Sequence, residues 1–137
     1  MIVGIDPDID KSGIAYVIEG KPHIEMNTLK FVELMKFIRL HRQSIKCVYV
    51  EAGWINKKSS WHGAQNIAVA ARIGKNVGEN HAVGKLLIQC IEAEGLKVVA
   101  VKPSSTKLDA EQFAKLTGIK TRTNAESRDA AMLVFGR

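Results

Sequence analysis

The sequence lacks the features that would place it in a membrane or outside the cell. It contains no long apolar run, and its first residues, MIVGIDPDID, have no basic segment followed by an apolar one. We therefore expect neither a membrane-spanning helix nor a signal peptide. Only two cysteines are present, Cys47 and Cys90, and neither has a CxxC partner. They are predicted to be buried thiols in a reducing cytoplasm, and no Cys/His cluster has the spacing of a zinc site.

Internal repeats, low-complexity segments and linkers are also missing, so we expect a single domain that spans residues 1–137. Acidic residues are fewer than basic ones, 14 against 20, which gives a net charge of +6. An excess of this size fits a phosphate-rich partner, and it also fits a solvated basic surface. The charge alone leaves both interpretations open.

Hydrophobic periodicity predicts the order of the secondary-structure elements. Short apolar or alternating runs predict strands at residues 2–6, 13–19, 23–29, 45–51 and 96–101. Spacings of three and four predict helices at residues 31–41, 65–94, 106–116 and 124–135. The short turns imply an antiparallel meander, and the helices after the fourth and fifth strands imply parallel crossovers. The predicted class is α/β, a five-stranded mixed sheet of three antiparallel and then two parallel strands, with helices on both faces.

Four acids occupy positions that suit metal ligands. Asp6 ends the first strand and Glu51 ends the fourth, whereas Glu126 and Asp129 lie three residues apart on the last helix and share one face. Oxygen-only ligands suit Mg²⁺ or Mn²⁺, and two such ions can hydrolyse a phosphodiester. Taken alone, Asp6 or Glu51 could instead be an exposed acid at a strand end, and Glu126 or Asp129 could lie on a solvated helix face or pair with Arg128. The order of the elements favours a shared site, because it brings all four acids together.

The motifs resemble those of the RuvC-type Holliday junction resolvases. The opening GIDPDIDKSGIAYVI is similar to the GIDPG…TGYGV opening of that family, and VYVEAGW is similar to its strand that ends in glutamate. A long glycine-containing helix, a strand that ends near VKPS and the closing ESRDAAMLVFG follow in the same order. The likeness covers essentially the whole chain. It implies an RNase H-like fold and the activity of a crossover junction endodeoxyribonuclease.

The resemblance also implies roles for single residues. The four acids named above correspond to the metal-binding and catalytic acids of the family. Trp54 corresponds to an aromatic residue that stacks at the branch point, and Lys102 and Lys107 fall where the family uses lysines against the scissile phosphates. Two positions depart from the family pattern, because Asp8 stands where glycine is usual and Glu126 stands where aspartate is usual.

The loop at residues 52–63 is the predicted DNA-binding element. Trp54 and Trp61 flank Lys57 and Lys58 there. Aromatic faces beside ammonium groups suit unpaired bases next to phosphates, although a tryptophan in a loop can also pack into a minor core. Further basic residues could face the same DNA or remain solvated, namely Lys102, Lys107, Lys120 and Arg122.

A four-way junction has near two-fold symmetry, so paired cuts favour a C2 homodimer. Gly74 and Gly78 on the long helix would allow the close approach of a second copy, or packing against this chain's own sheet. His81 on the same helix is predicted to be a packed, hydrogen-bonded histidine rather than a catalytic one.

The leading hypothesis is a structure-selective endonuclease that resolves Holliday junctions or other branched DNA with two Mg²⁺ or Mn²⁺ ions. One alternative is a YqgF-type nuclease, which shares the fold and acts on structured RNA. Another is a junction-binding protein that does not cut. The short chain fits a phage or mobile-element version that acts in the cytoplasm of a bacterium or of an infected host.

Overall fold

The structure, a computed structural model, describes residues 1–21, 23–56 and 66–137. Its strands are β1 (Ile2–Asp6), β2 (Ser12–Val17), β3 (Ile24–Leu29), β4 (Cys47–Glu51) and β5 (Val98–Val101). Its helices are α1 (Phe31–His41), α2 (Ile67–Ala93), α3 (Ala110–Thr117) and α4 (Ala125–Met132). A single 3₁₀ turn, Gly53–Ile55, follows β4. The elements therefore come in the order that the hydrophobic periodicity predicts.

The described strands form a mixed sheet in the order β3-β2-β1-β4-β5. β2 runs antiparallel to both β1 and β3, whereas β4 runs parallel to both β1 and β5. This topology confirms the predicted fold class of three antiparallel strands followed by two parallel ones. It is the RNase H-like arrangement that the family resemblance implied.

Apolar side chains cover both faces of the sheet. On one face, Leu34 of α1 and Leu87 of α2 join strand residues such as Ile5 in a fully buried cluster. On the other face, Phe113 of α3 and Ala130 of α4 belong to a second buried cluster. Burying a large apolar side chain contributes roughly 1.5–3 kcal/mol, so the two clusters hold the helices firmly against the strands.

Two helix ends differ from the sequence prediction, while the other ends shift by two residues or fewer. α3 begins at Ala110 rather than at residue 106, because Asp109 caps it. The Asp109 side chain accepts a 2.8 Å hydrogen bond from the Gln112 N–H, and the Gln112 side chain accepts one of 3.1 Å from the Asp109 N–H. α4 ends at Met132 rather than at residue 135, because the N–H groups of Leu133 and Val134 donate to carbonyl oxygens three residues back, a tighter turn than that of an α-helix.

The N-terminal half of α2 is largely exposed. A Cβ built at Gly74 or Gly78 would have no described atom within 4 Å. Within the described part of the chain, these two glycines therefore do not pack against the sheet, which was one of the two predicted alternatives. Neither α2 nor any other helix in the described ranges is long and apolar enough to cross a membrane.

Candidate active site

Two of the four acids end neighbouring parallel strands. The register pairs Ile5 of β1 with Val50 of β4, so Asp6 and Glu51 follow at the same level. Because the two strands run in the same direction, both carboxylates lie at the same edge of the sheet. Residues at the same level of adjacent strands also point to the same face, so the two acids share an edge and a face.

The other two acids are on α4, which packs directly against β1 and β2. Gly13 is the residue that pairs with Asp6 across these two strands. A Cβ at Gly13 would lie 2.0 Å from the carbonyl oxygen of Glu126, a distance that no side chain tolerates. Glycine at this position therefore allows the first turn of α4 to touch the sheet beside Asp6. Asp129 lies on the same helix face as Glu126.

The pKa of the Asp6 carboxyl is influenced by burial and by all three other acids. Burial is the largest effect on the pKa of Asp6, and the charge of Glu51 raises this pKa further. Lys107 lowers it, whereas Asp129 and Glu126 raise it. The result is a pKa of about 7, compared with an ordinary value of 3.8. Negative charge is therefore concentrated at this edge beyond what the neighbouring lysine neutralises.

Lys107 lies between two of the acids. Its Nζ donates hydrogen bonds of 2.8 and 3.0 Å to the two Glu51 carboxylate oxygens, and one of 2.7 Å to Asp129 Oδ2. Burial lowers the pKa of Lys107, but the hydrogen bonds to Asp129 and Glu51 outweigh it and raise the pKa above its ordinary value. The ammonium group is therefore charged at neutral pH and bridges the β4 and α4 acids.

The donors at this edge fit a hard divalent cation. All four are carboxylates, which favour Mg²⁺ or Mn²⁺ over softer metals. The ammonium of Lys107 already occupies a position between Glu51 and Asp129, so this position accepts positive charge. In the described ranges, no group of three or more Asp, Glu, His or Cys side chains is placed to hold a metal ion.

Asp8, which the sequence left unexplained, fixes the turn after β1. Its Oδ1 accepts hydrogen bonds from the N–H groups of Asp10 (2.8 Å) and Lys11 (3.3 Å). Its Oδ2 accepts one of 3.0 Å from Asn80 of α2, and the Asn80 amide oxygen accepts one of 3.0 Å from the Ile9 N–H. The first two bonds form a local aspartate turn that the sequence could have signalled. The contribution of Asn80 was missed, because α2 lies far away along the chain.

Trp54 lies in the 3₁₀ turn and is half-buried against α2. A Cβ at Gly84 would lie 2.6 Å from Trp54 Cζ3 and 3.2 Å from Pro7 Cγ, so the indole ring lies next to the residue that follows Asp6. His81 packs edge-on against the same ring, with centroids 6.0 Å apart, and Lys85 Nζ lies 5.9 Å from the ring centroid. The packing predicted for His81 is therefore confirmed, whereas no hydrogen bond of its side chain is found among the described residues.

The remaining predicted DNA-contacting residues fall into two groups. Lys57, Lys58 and Trp61 lie outside the described residues. The other three, which are Lys102, Lys120 and Arg122, are exposed, and no hydrogen bond or ion pair in the described ranges joins them to the four acids.

Arg128, considered above as an ion-pair partner of the helix acids, has a different role. Its Nε donates a 3.1 Å hydrogen bond to the Leu108 carbonyl, and its Nη1 donates 3.2 Å hydrogen bonds to the carbonyl and hydroxyl oxygens of Thr123. These bonds tie α4 to the segments on either side of α3. Neither Glu126 nor Asp129 forms an ion pair with Arg128 within the described part of the chain.

No protein-family model matches the sequence, and no curated protein matches it either. Among solved structures, the chain is similar to T. thermophilus RuvC in complex with a Holliday junction substrate. The TM-score is 0.49 and the sequence identity 20%, and the alignment covers 96% of this chain and 88% of that one. The side chains around Asp6, and not this likeness, carry the functional interpretation.

Proposed function

We propose that this chain is a metal-dependent endonuclease of a single domain, residues 1–137, that cuts branched DNA such as a four-way junction. One observation carries the proposal: Glu51 of β4 and Glu126 and Asp129 of α4 lie close enough to Asp6 of β1 to raise its pKa, and Lys107 bridges Glu51 and Asp129 at 2.8 and 2.7 Å. Carboxylates are costly to crowd together unless cations compensate them. If these residues formed only a structural ion pair, one acid would be enough to neutralise Lys107. Four acids are present instead.

Asp6, Glu51, Glu126 and Asp129 would hold two Mg²⁺ or Mn²⁺ ions. Such ions, when bound, activate water and stabilise the leaving oxygen of a phosphodiester. The protein contributes rigid placement of the donors, because two come from strands and two from a helix packed on those strands. Glu51 and Asp129 are only 14% and 17% exposed, so their carboxylates are partly desolvated and hold a cation more strongly than surface acids do.

The surroundings of the acids suit a distorted DNA backbone. The indole of Trp54 lies beside Pro7, next to Asp6, where it could stack on a base that leaves the duplex at a branch. Once released from Glu51 and Asp129, Lys107 would offer a positive charge to a scissile phosphate beside these acids. Six further basic or aromatic residues are also proposed to contact the DNA, namely Lys57, Lys58, Trp61, Lys102, Lys120 and Arg122.

A homodimer would place two such sites on one junction. The exposed half of α2 offers a surface for a second copy, because Gly74 and Gly78 leave open space in the described part of the chain. Glycines at successive turns permit two helices to approach closely. A C2 pair would match the near two-fold symmetry of a four-way junction.

The test is cleavage of a synthetic four-way junction by the Asp6→Asn variant with Mg²⁺ or Mn²⁺. The carboxamide keeps the shape of the side chain but removes the anionic ligand, so we expect junction binding to be kept and cleavage to be lost. Glu111→Gln is the matched control, because Glu111 is 78% exposed and pairs with Lys115 on α3. The control should cut at the wild-type rate.

Three outcomes would contradict the proposal. Cleavage by Asp6→Asn at the wild-type rate would remove Asp6 from the mechanism. Faster cleavage of a structured RNA than of the junction by the wild-type protein would favour the YqgF-type alternative. Junction binding without metal-dependent nicking by the wild-type protein would favour a non-cutting junction-binding protein.

A further inference from the structure

The ammonium of Lys107 uses the oxygen atoms that the proposed metal site would need. It donates to both carboxylate oxygens of Glu51, at 2.8 and 3.0 Å, and to Asp129 Oδ2, at 2.7 Å. A divalent ion on the same carboxylates would compete with the ammonium for their negative charge. It would also repel the ammonium, because two cations would then share one small, partly desolvated site.

The position of Lys107 in the chain also allows its side chain to move away from Glu51 and Asp129. The residue lies in the connection between β5 and α3, which contains neither helix nor strand from residue 102 to residue 109. Its side chain is 47% exposed, whereas the Glu51 and Asp129 side chains are mostly covered. The acids are therefore held in place by their strand and helix, and the long, partly solvated lysine is the member of the group that can move.

We propose that Lys107 is a built-in competitor of the metal ion: it holds Glu51 and Asp129 in the metal-free protein and must withdraw before a divalent cation binds them. The assignment of these acids as metal ligands rests on the proposed function. In the metal-free state the lysine reduces repulsion among the four carboxylates. The lysine also weakens the affinity of the site for metal, because the metal must displace it.

The experiment measures Mn²⁺ binding by isothermal titration calorimetry without DNA, in the wild-type chain and in Lys107→Met. We expect the variant to bind Mn²⁺ about tenfold more tightly, which is the size of effect expected when a hydrogen-bonded charged competitor is removed. Adding Asp6→Asn to Lys107→Met should abolish the gain, since the ion would then lack a ligand of this cluster.

Matched controls separate competition from a general change in charge. Lys115→Met removes an ion-paired lysine from α3, where its partner Glu111 is not one of the four acids, and should leave the Mn²⁺ affinity unchanged. Lys107→Arg keeps a cation at the site and should bind Mn²⁺ no more tightly than the wild type. Lys107→Gln gives the same expectation as Lys107→Met and serves if the methionine variant fails to fold.

The outcomes distinguish this inference from the proposed function. Equal Mn²⁺ affinity in the wild type and in the neutral Lys107 variants would overturn the competition and leave the metal site standing. Weaker binding in those variants would also overturn it, since Lys107 would then assist the metal. Absence of Mn²⁺ binding in the wild type and in every variant would overturn both proposals.

Discussion

Asn80 of α2 and Asp8 in the turn after β1 are joined by a 3.0 Å hydrogen bond from Asn80 Nδ2 to Asp8 Oδ2, across 72 residues of sequence. The same amide accepts a 3.0 Å hydrogen bond from the Ile9 N–H through its oxygen. A single side chain of α2 therefore fixes the segment that immediately follows Asp6. The long helix and the acid edge of the sheet are connected through this contact.

Replacing Asn80 with alanine should destabilise the protein. Both hydrogen bonds are lost, one of them to a carboxylate, and we expect the free energy of unfolding to fall by about 1–3 kcal/mol. Urea denaturation followed by circular dichroism measures this change. Asn76→Ala, one turn earlier on α2 and exposed, is the control and should change the stability by less than about 0.5 kcal/mol. Equal losses in the two variants would show that the contact with Asp8 contributes nothing specific.

The Gly13→Ala variant should be impaired because α4 lies too close to the sheet for any side chain there. The new Cβ would lie 2.0 Å from the Glu126 carbonyl oxygen, so α4 must shift. We expect a loss of about 1–3 kcal/mol in the free energy of unfolding, measured by urea denaturation. Gly78→Ala provides the contrast: its Cβ meets no described atom, and alanine favours a helix by about 0.5–1 kcal/mol, so this variant should be slightly more stable. A wild-type unfolding midpoint for Gly13→Ala would contradict the packing described here.

The raised pKa of Asp6 predicts a specific dependence of stability on pH in metal-free buffer with a chelator. The folded protein holds the Asp6 proton up to a pKa of about 7, whereas an unfolded chain releases it near 3.8. Between these values the folded state binds more protons, so the contribution of Asp6 to stability is greatest below pH 3.8 and is lost as the pH rises through about 7. Asp6→Asn removes this titration.

Urea denaturation across this pH range, in the wild type and in Asp6→Asn, checks the sign. The stability of the wild type relative to the variant should decrease as the pH rises and then become constant above the folded pKa. A difference that does not change with pH would mean that Asp6 titrates normally. Glu111→Gln, which changes an exposed carboxylate, should show no such trend.

Trp54 should contribute to branch recognition under the proposed function. Stacking on a base is worth roughly 1–3 kcal/mol, so Trp54→Ala should weaken binding to a four-way junction by about 5- to 150-fold. Binding to a linear duplex of the same length should change much less, because its bases are already stacked. Trp54→Phe keeps an aromatic face and should recover part of the affinity. The inactive Asp6→Asn background prevents cleavage during a fluorescence anisotropy measurement. Equal losses for junction and duplex would indicate a packing role only.

Local patterns were sufficient to predict where two of the candidate ligands lie. Asp6 and Glu51 each end an apolar run that forms a strand, whereas the pairing of β1 with β4 became known only from the structure. The start of α3 was misplaced by four residues, because apolar periodicity does not register a cap such as Asp109. The end of α4 was overestimated because an apolar sequence continues after the backbone leaves the helix.

The sequence by itself determined the fold class and the strand ends that carry Asp6 and Glu51, because strand and helix periods are local properties of the chain. Only the tertiary structure decided that Gly13 admits the backbone of Glu126, that Asn80 holds Asp8, and that Lys107 lies between Glu51 and Asp129. Each of these contacts joins residues that are distant in sequence. Their existence depends on side-chain rotamers and on the distance between packed elements, which no local pattern encodes.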